Sequence, residues 1–130
     1  MMSGVKYLLD TNYILGLLKS TPEVLSEVTR RAILTVECGY SAITRMELLG
    51  FPGITTAEQL LIQERLAQLT YWPLTSTIED VAIAVRRTRK VKLPDAIIAA
   101  TAIHLQLELL TLDVGLQSVV RDGLQASSRT

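Results

Sequence analysis

The chain has 130 residues, 13 acidic against 13 basic side chains, and a single cysteine, Cys38. That length suits one domain, residues 1–130, with a sizeable core; the zero formal charge gives no overall pull toward a polyanion, so any nucleic-acid contact must come from a local patch; and one thiol excludes an internal disulfide and a cysteine-rich zinc site, leaving Cys38 as a small buried hydrophobe. No apolar run approaches the roughly 18 residues of a membrane span, and Met1-Met2-Ser3-Gly4 enters a strand pattern without the apolar core of a signal peptide, so a cytoplasmic protein is expected.

In chain order, Val5–Leu9 reads as a short strand ending at Asp10, and Thr11–Lys19 as a helix with Ile14, Leu15, Leu17 and Leu18 inward. Thr21-Pro22-Glu23 is a helix start, followed by Val24, Leu25, Val28 and Ala32 at helical spacing. A second strand is expected over Tyr40–Ile43, then a helix from Thr44 that Gly50, Pro52 and Gly53 end. Thr55 with Glu58 has capping-box spacing, and Leu60, Leu61, Leu66 and Leu69 supply the apolar side of the next helix. Tyr71–Leu74 reads as a third strand. Ser76 with Glu79 opens a helix that runs through Val81, Ala82 and Val85 into Arg86, Arg87, Arg89, Lys90 and Lys92.

Lys92-Leu93-Pro94-Asp95 then starts a helix in which only Thr101 is polar between Ala96 and Ile103, so it should be buried on nearly all sides. Leu107–Leu112 is a fourth strand ending at Asp113, and the tail from about Ser127 should fray. Strands separated by helices imply parallel pairing through right-handed crossovers, hence a three-layer α/β/α sandwich with a mainly parallel sheet.

On that scheme Asp10, Glu47, Asp95 and Asp113 adjoin strand ends or helix starts, which share one edge of a parallel sheet, the edge where open α/β sheets bind ligands. Other acids, Glu23, Glu27, Glu58, Glu64, Glu79 and Asp80, fall on expected exposed faces or helix ends. Each of the four has a purely structural alternative: Asp10 could cap the first helix, Thr44 and Glu47 could form a capping box, Asp95 could answer a helix dipole, and Asp113 could cap a short helix from Val114. Four carboxylates converging without cations repel one another, and such a set suits a hard divalent ion, Mg²⁺ or Mn²⁺.

Four stretches carry a resemblance: Leu8-Leu9-Asp10-Thr11-Asn12; Ser41-Ala42-Ile43-Thr44 leading to Glu47-Leu48-Leu49-Gly50; Leu93-Pro94-Asp95-Ala96-Ile97-Ile98-Ala99-Ala100-Thr101-Ala102; and Leu110-Thr111-Leu112-Asp113. In this order they resemble the PIN-domain ribonucleases, and among them the short VapC-like toxins of prokaryotic toxin–antitoxin pairs. The resemblance implies a metal-dependent endoribonuclease with Asp10, Glu47, Asp95 and Asp113 as acidic set and metal ligands, supported by Thr11, Asn12 and Thr111. It also implies a small cognate antitoxin as partner and a homodimer. Such proteins often carry an aromatic soon after the last Asp; here Val114-Gly115-Leu116 stands instead.

The chemistry implied is hydrolysis of an RNA phosphodiester by water on the ion, which needs carboxylates and no histidine. His104 lies nine residues after Asp95, about 900° of helix at ~100° per residue, and so on the opposite face. Arg86, Arg87, Arg89, Lys90 and Lys92 could track RNA phosphates or form a solvated helix end suited to the C-terminal dipole. Arg45 is close enough to Glu47 to pair with an acid. Tyr13, Tyr40, Tyr71 and Trp72 read as core or interface residues. A phosphorelay receiver domain shares the α/β pattern, but it needs an acidic pair after the first strand and a lysine after the last, and neither is present. A catalytically inactive PIN-like binding module is the stronger rival.

Overall fold

The computed structural model describes residues 4–128. Four short strands, β1 (Tyr7–Leu9), β2 (Cys38–Ser41), β3 (Thr70–Trp72) and β4 (Glu108–Leu110), pair in parallel in the order β3-β2-β1-β4. Parallel neighbours cannot be joined by a hairpin, so helices fill every connection. They are α1 (Thr11–Leu18) and α2 (Pro22–Arg30) before β2, α3 (Ala42–Leu49) and α4 (Thr56–Leu66) before β3, α5 (Ser76–Thr88) and α6 (Leu93–Leu105) before β4, and α7 (Val114–Ser128) after it.

Leu8 and Leu109 pack into one core with Ile98, Leu116 and Val120. Leu9 and Leu110, each one residue further on, pack into another with Tyr13, Val24, Leu48 and Ile62. Successive strand residues point to opposite faces, so α6 and α7 cover one face of the sheet and α1 to α4 the other, as the strand and helix pattern predicts. Among the described residues no helix is long and apolar enough to cross a membrane.

The strands are shorter than expected, or shifted, because a ladder extends only where neighbours overlap. Val5–Leu9 contracts to Tyr7–Leu9, and Leu107–Leu112 contracts to Glu108–Leu110, the three residues opposite β1. Likewise Thr70–Trp72, not Tyr71–Leu74, pairs with Gly39 to Ser41. The expected strand Tyr40–Ile43 is Cys38–Ser41, because Ser41, the last residue of the strand, also caps α3, its Oγ accepting from the Thr44 amide at 3.2 Å. Thr44 therefore opens no capping box with Glu47; it is buried inside α3. Thr75, not Ser76, caps α5, accepting from the Ile78 amide at 3.2 Å. The Thr55–Glu58 box is present in both directions, at 3.0 and 3.1 Å. Thr21 stands before Pro22 as expected, but its hydroxyl donates back to the Gly16 carbonyl at 2.9 Å.

Several apolar expectations change once the faces are set. α2 ends at Arg30, and Ala32 lies beyond it at φ 51, off the buried stripe. Leu25, Leu60 and Leu61 are exposed; on α4 it is Ile62 and Leu66 that reach the core. The short helix expected from Val114 is the 15-residue α7, seated through Leu116, Val119 and Val120. α7 runs through Ser128, so the first two residues of the expected frayed tail are helical, and the rest of that tail lies outside the described residues.

α6 matches its sequence: seven of its thirteen residues are buried, Thr101 turning its hydroxyl onto the Ile97 carbonyl at 2.7 Å. Pro94 is its second residue, inside the first turn where a missing amide hydrogen costs nothing. At the amino end of the sheet Arg31 grips Glu108 with two nitrogens, at 2.7 and 2.9 Å, and takes Glu27 at 3.4 Å. The Tyr13 hydroxyl donates to Glu27 at 2.5 Å, so Glu27 is not the free surface acid its helix pattern suggests.

Gly39 marks a close approach between β2 and β3. A Cβ there would lie 2.6 Å from Trp72 Nε1 and 2.8 Å from the Thr70 carbonyl oxygen. One of those atoms is ladder backbone and cannot swing away, so Gly39→Ala should destabilise the fold by about 1–3 kcal/mol, the usual cost of overpacking. A denaturant midpoint unchanged from wild type would contradict this packing.

Candidate active site

β1 begins a path that runs outward to β2 and β3 and then returns to place β4 on the other side of β1. The carboxyl ends of β1 and β4 therefore flank the switch point, where an open α/β sheet leaves a crevice. Asp10 stands there. It is the residue after β1, its backbone amide donates to the Leu110 carbonyl at 3.0 Å, and it is only 7% exposed. Its Oδ1 accepts from the Thr11 amide at 2.7 Å, the capping role open to it from sequence. Its Oδ2 accepts from the Thr111 hydroxyl at 2.7 Å, a contact across the switch point between residues 101 apart.

Thr111 does two jobs, since its oxygen also accepts from the Asp113 amide at 3.0 Å. Asp113 in turn caps α7, Oδ1 accepting from the Leu116 amide at 3.0 Å. Glu47 projects from α3, and its Oε1 accepts from the Thr11 hydroxyl at 2.7 Å. Thr11 has one proton to give, so in its 3.0 Å contact with Thr44 Oγ1 it is Thr44 that donates. Thr44 was read from sequence as a helix cap. The signal that could have revealed it is its place on α3 three residues before Glu47, which puts both on one side of the helix. Asn12 is exposed and joins none of these hydrogen bonds.

Asp95 is the third residue of α6 and is half-buried. Burial, then the charges of Asp10, Asp113 and Glu47, push its carboxyl above the ordinary range, while Lys92 pulls the other way. The four acids thus share one electrostatic neighbourhood although they come from four separate segments. The four ion pairs among the described residues leave all of them out. Arg45 is exposed and joins none of those pairs.

Among the described residues, no three Asp, Glu, His or Cys side chains are grouped closely enough to hold a metal ion. The two observations differ in range: charge is felt over ~10 Å at moderate salt, whereas ligation acts at about 2 Å and Mg²⁺ commonly keeps several waters on one or two carboxylates. The donor set fits such an ion in its chemistry, being all oxygen, partly desolvated and outside the four ion pairs of the described residues.

The basic residues divide. Arg86 and Arg87 line a groove with Ile83, Leu93 and Ile97. Arg89, Lys90 and Lys92 line the cleft that holds Asp95 and Asp113. His104 is exposed on α6, outside the hydrogen bonds of the acids. Tyr13 and Tyr40 are core residues, and Tyr71 is a partly exposed edge residue tilted against Tyr40 at 5.4 Å between ring centroids.

Asp10 and Thr111, just past β1 and β4, stand at the carboxyl edge of a parallel sheet, the edge at which open α/β sheets bind ligands. The family model of the PIN domain matches residues 7–122, and the chain belongs to that family. Its fold is similar to a chain of a toxin–antitoxin complex from Klebsiella pneumoniae, at 29% identity and TM-score 0.72, over 83% of this chain and 87% of that one. A chain of VapBC-1 from nontypeable Haemophilus influenzae is 25% identical with TM-score 0.72, over 91% of this chain and 94% of that one. A chain of FitAcB from Neisseria gonorrhoeae is 24% identical with TM-score 0.71, over 88% and 93%. No curated protein sequence matches the chain.

Proposed function

We propose that this chain is a metal-dependent endoribonuclease that hydrolyses RNA phosphodiester bonds and acts as the toxin of a toxin–antitoxin pair. What supports the reading is the influence of Asp10, Asp113 and Glu47 on the half-buried Asp95 carboxyl, together with the absence of all four acids from the ion pairs of the described residues. These four would hold Mg²⁺ or Mn²⁺. When bound, the ion supplies Lewis acidity, acidifying water and offsetting charge that builds on the phosphate.

The chain's own residues set the geometry. The Thr11 amide and the Thr111 hydroxyl hold Asp10 from two sides and leave lone pairs on both oxygens for a cation. Thr44 orients the Thr11 hydroxyl, and Thr11 orients Glu47. The reading includes a small cognate antitoxin protein as partner, supported by the toxin–antitoxin complexes among the structural relatives, and a homodimer as working form, as the family resemblance implies. A second reading, a catalytically inactive PIN-like module that engages a protein or RNA partner, draws on the absence of a closely grouped acidic triad among the described residues.

Labelled RNA incubated with the purified chain separates the two. Cleavage should appear with Mn²⁺ or Mg²⁺, stop on chelation, and persist in His104→Ala, whose exposed imidazole touches none of the acids. An inert protein under all conditions favours the binding module. Loss of cleavage in a folded His104→Ala protein would show that the carboxylates do not act alone.

A further inference from the structure

The five cations between residues 86 and 92 look like one patch in sequence, but the backbone deals them to two places. Arg86 and Arg87 sit in the last turn of α5, beside the apolar groove formed with Ile83, Leu93 and Ile97. After that turn the chain straightens: Arg89 and Lys92, at the two ends of the connection to α6, are both extended (φ −136, ψ 148 and φ −64, ψ 151). Val91 packs against the α5–α6 core while also bordering the cleft, and Lys90 and Lys92 line that cleft, of about 440 Å³, together with Asp95, Asp113 and Leu116. Arg89 lines the same cleft but is tied to Asp122 of α7 at 2.9 Å. Lys90 and Lys92 have no ion pair among the described residues.

We infer that Lys90 and Lys92 hold successive phosphates of a single RNA strand along this cleft, and that Arg86 and Arg87 do not contact it. The inference rests on the proposed RNA substrate and names the residues that position it. Two residues apart on an extended segment, the lysines are separated by about 6.6 Å along the chain, and each ammonium adds a flexible stem, so both can reach one strand. The cleft holds both signs of charge, Lys90 and Lys92 beside Asp95 and Asp113, so a phosphate drawn to the lysines lies close to the acidic set.

The test compares two double variants that remove equal charge, Lys90→Gln/Lys92→Gln and Arg86→Gln/Arg87→Gln. Binding of a fluorescein-labelled single-stranded oligouridylate to the full chain is followed in chelator between about 50 and 200 mM salt. Each lost single-strand phosphate contact removes ~0.7 from the slope of log affinity against log salt, so over that fourfold range wild type should lose about sevenfold more affinity than the lysine variant. The arginine variant should keep the wild-type slope, and Lys90→Arg/Lys92→Arg should restore it. Equal loss in both glutamine variants, loss in the arginine variant alone, or no RNA binding by wild type would overturn the assignment. A wild-type chain that binds RNA with the expected slope but never cuts it with Mn²⁺ would instead remove the nuclease reading and leave the lysines in place.

Discussion

Asp10→Asn should abolish RNA cleavage while leaving the fold nearly intact. Asparagine is isosteric with the carboxylate, its oxygen can still accept from the Thr11 amide, and the Thr111 hydroxyl can turn to accept from the new amide group. The cost to the fold should be about 0.3–1 kcal/mol, the worth of a negative charge at the head of α1. The cost to function should be far larger. Outer partners of a metal site typically cost about 10–100-fold when removed, so loss of the carboxylate at the switch point itself should cost roughly a hundredfold or more in single-turnover rate with Mn²⁺. A folded variant that cuts within tenfold of wild type would refute the carboxylate mechanism.

Asp95→Asn should raise the melting temperature in chelator at low salt, against the ordinary expectation for an acid at a helix start. As a mere dipole partner, Asp95 would contribute about 0.3–1 kcal/mol and the variant would melt lower. Burial and the charges of Asp10, Asp113 and Glu47 act the other way, holding the Asp95 carboxyl above its ordinary value. The sign follows from linkage: the folded state binds this proton more tightly than the unfolded chain, so ionising Asp95 costs stability as pH rises from below the unfolded value through the folded one. The gain from asparagine should therefore be full at neutral pH and fade in acid. Each kcal/mol of relief is worth about 3–5 °C in a chain of this length.

Mn²⁺ should reverse the order. An ion that binds only the folded state adds about 2.7 kcal/mol at a hundredfold excess over its Kd, and wild type should gain more of this than the variant. A variant that melts lower in chelator and gains as much from Mn²⁺ as wild type would return Asp95 to the role of a helix-start residue.

Patterns that operate within a few residues were legible from the chain alone. The apolar run of α6, the Thr55–Glu58 box and the strand-then-acid junction at Asp10 each depend on neighbours in sequence, and each is present. Where two adjacent or nearby hydroxyls compete for a cap, sequence cannot rank them. Ser41 displaced Thr44, and Thr75 displaced Ser76, because the point at which a strand stops is set by the reach of its partner in the ladder. Leu60 and Leu61 look as apolar as Ile62 and Leu66, yet only the placement of α4 against the sheet decides which pair is buried.

The sequence by itself determined the parallel α/β class and put Asp10, Asp95 and Asp113 at element junctions, because alternating strands and helices admit few other arrangements and an acid beside an apolar run stands out; Glu47, expected just past the second strand, lies inside α3. Only the tertiary structure decided how those acids are held and what surrounds them. Thr111 reaches Asp10 across 101 residues and Thr11 reaches Glu47 across 36, contacts that exist because β4 and β2 flank β1 in register. The same is true of the basic residues, which one extended connection after α5 divides between a cleft and a groove. Hydrogen bonds and screened charges fall off within a few ångströms to about ten, so a pairing between distant segments has no trace in local sequence until the sheet brings them together.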